Sequence, residues 1–202
     1  MEGVVLAAGN SSRTAPECKL ALKLGGRTLI EMSVAGMKPF CGEIFVVTGA
    51  HAVAVANILR GQAGITLVHN PEYMSGMYGS VKAGLRRTRA DAVFLLPGDC
   101  PFAAPEVYAK LLAAEGEIVL PTWQGRAGHP ALLRRSAIDE LLRDGTCETL
   151  WQFIATHHPG RAAVDCPGIL TDIDTLEAYQ KALRGLIGGE QNESHLGSGE
   201  TV

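Results

Sequence analysis

Aromatic residues are scarce in this chain, at 5% of 202 residues, and charged residues reach only 19%, against 47% hydrophobic. A disordered polymer would be short of apolar surface, so this balance excludes disorder as the general state and describes a compact enzyme built mainly from Ala, Val, Leu and Gly. Positive charge is also lacking. A net charge of −3 leaves no broad basic field for DNA, RNA or an anionic membrane, so an anionic ligand must be met by local cations. The dense basic cluster Arg86, Arg87 and Arg89 falls where a helix is expected to end, and reads as a solvated face at a C-terminus.

Cysteine offers no framework. The five thiols, Cys18, Cys41, Cys100, Cys147 and Cys166, are odd in number, widely spaced and without a CxxC pair, which excludes a zinc or dithiol motif and points to reduced thiols. The first apolar run starts at Gly3 with no basic leader, so a cytoplasmic location is expected. The longest uncharged stretch, Ile44 to Leu59, contains Gly49, His51 and Asn57 and is too short to span a bilayer. This length favours a single domain over two that each bury a core.

The apolar runs that are present alternate with helical patterns. Gly3-Val-Val-Leu-Ala-Ala8 reads as a strand buried on both faces that empties into Gly9-Asn-Ser-Ser12. Thr28-Leu-Ile-Glu31 has capping-box spacing and opens a helix toward Phe40, followed by a strand over Glu43 to Thr48. A helix through Ala52 to Arg60, a strand over Ile65 to His69 ended by Asn70-Pro71, a helix over Ser80 to Arg89 and a strand over Ala92 to Leu96 continue the rhythm. Pro105 suits the first position of a helix, Glu117 to Pro121 a strand, and Ala131 to Leu133 an antiparallel neighbour. Helices are expected near Ala137 to Arg143 and Thr149 to His157, a last short strand over Ile169 to Ile173, and a helix capped by Asp174-Thr-Leu-Glu177. Residues 1–187 form the expected domain, and the polar, Gly-rich residues 188–202 a disordered tail. The fold class is α/β, a three-layer, mostly parallel sheet with helices on both faces, and such sheets bind ligands beyond the carboxyl ends of their strands.

Two common nucleotide motifs are missing: neither GxGxxG nor GxxxxGK[ST] occurs. The first strand instead ends in Leu6-Ala7-Ala8-Gly9-Asn-Ser11-Ser12-Arg13, with Lys19 downstream. A triphosphate needs close backbone amides, which Gly9 and Ser11 leave accessible, and cations to offset its charge, which Arg13 and Lys19 supply. Asp99 leaves a buried strand inside the rigid turn Pro97-Gly-Asp-Cys-Pro101, where it serves either the turn or a metal. Asp174 is open to the same two readings, as helix cap or ligand. Magnesium takes oxygen ligands and needs only one or two protein carboxylates.

Together, Leu6-Ala-Ala-Gly9-x-Ser-Ser-Arg13, Asn70-Pro-x-Tyr73-x-x-Gly76-Met-x-x-Ser80-Val-Lys-x-Gly84, Gly98-Asp99-x-Pro101, Gly128-His-Pro130 and Asp172-Ile-Asp174-Thr175 resemble the MobA-like NTP transferases, most of all the molybdenum cofactor cytidylyltransferases. The resemblance runs from about residue 3 to 184 and implies a Rossmann-like nucleotidyltransferase. It implies Mg2+ on Asp99 and Asp174, phosphates on Arg13 and Lys19, and base and ribose near Gly76 to Ser80. It places Gly128, His129 and Pro130 toward the acceptor. Ala7-Ala8 stands where guanylyl-transferring relatives usually have Ala-Gly and then Gly, which favours CTP over GTP, with molybdopterin as acceptor and a molybdenum hydroxylase as a further partner. Another phosphorylated acceptor, such as a sugar phosphate or a phospho-lactate, stays open, as does a non-catalytic carrier of the cofactor. One departure stands out: between Arg13 and Lys19 the chain has Thr-Ala-Pro-Glu-Cys, with no glycine and a stiffening Pro16.

Overall fold

The computed structural model describes residues 1–10 and 18–193. Strand β1 (Glu2–Ala7) leads, after a 3-10 turn over Lys19–Ala21, to the small hairpin β2 (Lys23–Leu24) and β3 (Arg27–Thr28). Next come helix α1 (Leu29–Met37), β4 (Glu43–Thr48), α2 (Ala52–Ile58), β5 (Ile65–His69), α3 (Met77–Leu85), β6 (Ala92–Pro97) and α4 (Pro105–Ala113). The chain ends with β7 (Ile118–Trp123), β8 (Arg126–Ala127), β9 (Ala131–Arg134), α5 (Arg135–Arg143), α6 (Leu150–Thr156), β10 (Gly160–Ala163) and α7 (Leu176–Glu193).

Among the described residues the strands build one eight-stranded sheet in the order β10-β7-β9-β6-β1-β4-β5, with β8 paired to β7. β1 lies parallel to both β4 and β6, and β4 to β5. β9 is antiparallel and lies between β6 and β7, as the run Ala131 to Leu133 predicts. From β1 the chain crosses first to one side, to β4 and β5, and then to the other, to β6. That reversal leaves a crevice at the carboxyl ends of β1 and β6, the usual ligand position in such sheets.

Strand side chains alternate between two cores, as the period of two requires. Val5, Ile44, Val46, Phe94 and Leu96 pack against α1, α2 and α4 through Ile30, Val34, Val55 and Tyr108. Val4, Phe45, Val47, Val93 and Leu95 face α3, α5 and α6 through Val81, Leu85, Ile138 and Phe153. The Thr28 capping box is present: Thr28 Oγ1 accepts from Glu31 N at 3.3 Å and Glu31 Oε2 accepts from Thr28 N at 2.8 Å. Thr28 Oγ1 also donates to Glu31 Oε2 at 2.6 Å, and this bond, followed by that from Thr28 N, holds the Glu31 carboxyl below its usual range against burial. The cysteines are free thiols, and burial pushes Cys41 up to about 12.

Four expectations need correction. The apolar run Ile169 to Ile173 is no strand; Pro167 opens a 3-10 turn over Pro167–Leu170, and the backbone within and just beyond it bonds to two other segments instead of a ladder. His129 N donates to Ile169 O at 2.9 Å, and Ile173 N donates to Asp99 O at 3.0 Å. The last helix is capped by Thr175, whose Oγ1 accepts from Ala178 N at 3.1 Å, and not by Asp174. α3 starts at Met77, three residues before Ser80, because Gly76 at φ 116° serves as its N-cap. α7 runs through Gly188 and Gly189 to Glu193, although each glycine disfavours helix by about 1 kcal/mol relative to Ala; residues 194–202 of the expected tail lie outside the described residues.

Gly84 lets α3 rest directly on the sheet: a Cβ there would lie 2.5 Å from Val4 Cγ1 and 2.8 Å from Val47 Cγ2. Gly84→Ala is expected to lower the unfolding free energy by about 1–3 kcal/mol, the usual cost of overpacking. Denaturant melts with an unchanged midpoint would show that α3 shifts without penalty.

Candidate active site

The carboxyl end of β1 runs straight into the crevice. Leu6, Ala7, Ala8, Gly9 and Asn10 form one wall, and Pro97 and Asp99 from the end of β6 form the next. Gly98 continues the pairing beyond β6, its N–H donating to Leu6 O at 2.9 Å, so Asp99 is held beside the first loop by backbone geometry. A Cβ on Gly98 would meet Leu6 O at 3.0 Å and Ile30 Cδ1 at 3.1 Å. Buried Ser33 donates to Gly98 O at 2.9 Å and locks the turn from behind.

Lys19 comes from the 3-10 turn, anchored by buried Leu20. Its Nζ lies 2.5 Å from Asp99 Oδ2 and 2.6 Å from Asp174 Oδ1. Three sequence-expected residues, separated by 80 and 155 positions, therefore meet at one point. Burial would lower the Lys19 pKa, but the Asp99 charge, hydrogen bonds to Asp174 and Asp99 and the Asp174 charge prevail, so it is raised above 10.5 and the ammonium form is held. Ile173 is fully buried among Leu24 and Leu29, and its backbone bond to Asp99 O delivers the neighbouring Asp174 to the cleft.

The remaining wall is α3. Met77 and Ser80 of α3, with Tyr73 from the 3-10 turn that precedes it, line the cleft, whose volume is about 300 Å³, the lower end of the roughly 300–1,000 Å³ typical of small-molecule clefts. Ser80 accepts from Asn70 Nδ2 at 3.0 Å, while Asn70 Oδ1 accepts from Glu72 N at 3.0 Å. Asn70, which its Asn-Pro context marks only as a turn former, thus aims Ser80 at the cleft. Gly76 does not line it and acts through the start of α3. Gly49 carries no expectation in the sequence, yet a Cβ there would lie 2.5 Å from Ala8 O and 2.7 Å from Tyr73 Cβ; its signal is the Thr48-Gly49 exit from a strand beside β1.

Ser11, Ser12 and Arg13 lie outside the described residues. Gly128, His129 and Pro130 do not line the cleft; they sit beside it, tied by Gly128 N to Pro121 O at 3.0 Å and by His129 N to Ile169 O. Gly128 passes so close to Ile169 that a Cβ would lie 2.2 Å from its carbonyl oxygen. Burial lowers the His129 pKa from 6.5, and the charges of Asp99 and Asp172 oppose the shift. Cys100 is buried and burial, then Asp99, raises its thiol pKa well above the thiolate range, so it packs and does not attack.

The two acids suit a divalent cation: both already converge on a single cationic atom, and one or two carboxylates are what magnesium takes from a protein. Among the described residues there is no larger cluster of His, Cys, Asp or Glu, so further ligands in such a site would be water or substrate oxygens. No helix among them is long and apolar enough to cross a membrane.

A central parallel sheet opening onto a cleft with a lysine between two carboxylates is equipped to handle a polyphosphate. The chain belongs to the MobA-like NTP transferase family, whose domain model matches residues 3–162. The molybdenum cofactor cytidylyltransferase of Escherichia coli (strain K12) is 27% identical over 177 residues, 87% of this chain and 92% of that protein. A molybdenum cofactor guanylyltransferase of Sinorhizobium fredii is 29% identical over 87% of this chain and 83% of its own. In structure, a nucleotidyl transferase from Methanothermobacter thermautotrophicus matches with a TM-score of 0.78 at 24% identity, covering 93% of this chain and 98% of that one. A Mycobacterium tuberculosis protein solved in complex with manganese matches with a TM-score of 0.73 at 24% identity, covering 91% and 97%.

Protonating His129 is disfavoured in the fold and not in the unfolded chain. Its contribution to stability is therefore full above pH 6.5 and is lost as pH falls from 6.5 through the lower folded value. His129→Gln should flatten that limb in denaturant midpoints measured across the pH range; an unchanged slope would remove His129 as its source.

Proposed function

We propose that the chain transfers CMP from CTP to the terminal phosphate of molybdopterin, releasing pyrophosphate. The observation that carries this reading is the meeting of Lys19, Asp99 and Asp174 at the mouth of the β1 loop. An oxygen of the acceptor phosphate attacks the α-phosphorus of CTP in line, the bond to the β-phosphate oxygen breaks, and pyrophosphate departs. Lys19, with Arg13, offsets the charge that grows on the leaving phosphates, and the amides of Ala8 and Gly9 approach those phosphates because no bulky side chain intervenes. Magnesium held by Asp99 and Asp174 would neutralise phosphate charge and polarise the reacting phosphorus. No covalent nucleophile is required, since positioning and electrostatics supply most of such a barrier.

Relatives of both nucleotide classes lie at similar identity, so overall likeness does not choose the base. The choice of cytosine rests on Ala7 and Ala8, both of which line the cleft. Gly128, His129 and Pro130 flank the Asp99 side and would receive the acceptor. The relatives' names support a nucleotide and a molybdopterin compound as substrates and give no support to a molybdenum hydroxylase partner.

With CTP, GTP, ATP or UTP, molybdopterin and magnesium, CTP should release pyrophosphate in step with a cytidylylated product. Preference for GTP would refute the base assignment, and cofactor binding without pyrophosphate from any nucleotide would favour a carrier. Asp99→Asn should abolish turnover while the chain still folds; turnover at the unmodified rate would remove Asp99 from the site. Lys19→Ala should reduce kcat about 10²–10³-fold, the loss expected for one preorganised donor, and unchanged kinetics would move that role elsewhere.

A further inference from the structure

We propose that Lys19 is an exchangeable counterion: its ammonium holds Asp99 and Asp174 together until a divalent cation takes the same two carboxylates, and it then swings onto the polyphosphate. The inference rests on the proposed metal role of these acids. Lys19 Nζ touches one oxygen of each acid, at 2.5 and 2.6 Å. A magnesium ion sits roughly 2.0–2.1 Å from its carboxylate ligands, and two cations crowded onto the same oxygens repel strongly in a partly buried site. Ammonium and metal are therefore alternative occupants. The lysine side chain has the freedom to move, with a flexible four-carbon stem and rotatable donors, while its backbone is fixed by buried Leu20 and by Leu22 N donating to Lys19 O at 3.1 Å. Because Lys19 lines the cleft together with Ala8, Gly9 and Asn10, the displaced ammonium stays beside the wall assigned to phosphate.

One consequence is coupling. Metal alone must compete with Lys19, whereas metal arriving with nucleotide offers the ammonium a new partner, so each ligand favours the other. The competing form reduces apparent metal affinity by the fraction of time the acids are open.

The test is Mn2+ binding to the full chain without nucleotide, followed by the electron paramagnetic resonance signal of free Mn2+. If the ammonium occupies the acids about nine-tenths of the time, Lys19→Met should bind Mn2+ about tenfold more tightly than the unmodified chain. Equal or weaker binding would overturn the exchange. Asp99→Asn should lose most Mn2+ affinity with or without Lys19; unchanged affinity there means that these acids do not hold the metal, and both readings fall. Weakened binding in Asp99→Asn without tightening in Lys19→Met removes the exchange alone. Should Lys19→Met not fold, acetylation of the unmodified chain read by mass spectrometry tests the same point. Lys19 labelling should rise several-fold on saturation with Mg2+ while that of exposed Lys38 stays constant, and a flat or falling Lys19 signal counts against the exchange.

Discussion

Two carboxylates aimed into one cleft repel each other unless a cation lies between them, and Asp99, Lys19 and Asp174 meet that requirement directly. The lysine and Asp99 side chains retain only 15% and 17% of their exposure, and Asp174 retains 41%, so the triad is screened unequally. Its Asp99 arm lies in the less hydrated interior, where losing one partner strands a charge; its Asp174 arm is closer to a surface pair of small net energy. A cluster held this way is firm on the sheet side and yielding on the solvent side. That asymmetry suits a site that must admit a polyanion and its counterion.

Backbone contacts set the spacing before charge acts. Gly98 N on Leu6 O and Ile173 N on Asp99 O stitch the end of β1, the turn after β6 and the segment before α7 together without any side chain. Glycine permits the approach where another wall is close: at Gly98 the obstacle is the Leu6 carbonyl, at Gly49 it is the Ala8 carbonyl and Tyr73, and at Gly128 it is Ile169. These close main-chain approaches lie behind and beside the cleft and set the spacing of the segments that line it. Ser80 adds a side chain to that wall only because buried Asn70 holds it.

The family supplies the reaction class, and the chain's own residues narrow it. Cytidylyl- and guanylyltransferases lie at a similar level of identity to this protein, so the proposed choice between bases rests on the chain's own residues at the end of β1. Lys19 itself arrives between the two acids.

Long apolar runs with flanking turn residues were sufficient to read the central strands, because a strand buried on both faces must be hydrophobic throughout. The Thr28 capping box, the antiparallel Ala131 run and the Gly9, Lys19 and Asp99 candidates were legible for equally local reasons. β10 was not: Gly160-Arg-Ala-Ala has weak strand preference and pairs only because β7 presents an edge. The hairpin β2–β3 left a trace in Gly25-Gly26, whose φ values of 55° and 81° suit a tight two-residue turn, but strands of two residues have no periodicity to detect. Asp174 shows the limit most clearly, since Asp and Thr in succession are both competent helix caps, and choosing Thr175 required the Ile173 backbone to be pinned to Asp99. Local patterning thus determined the elements and the chemical types available at their ends. Which ends converge, and which of two equivalent side chains turns toward the cleft, was decided by contacts between distant segments, because hydrogen bonds and ion pairs of that kind depend on distances in space that no short stretch of sequence encodes.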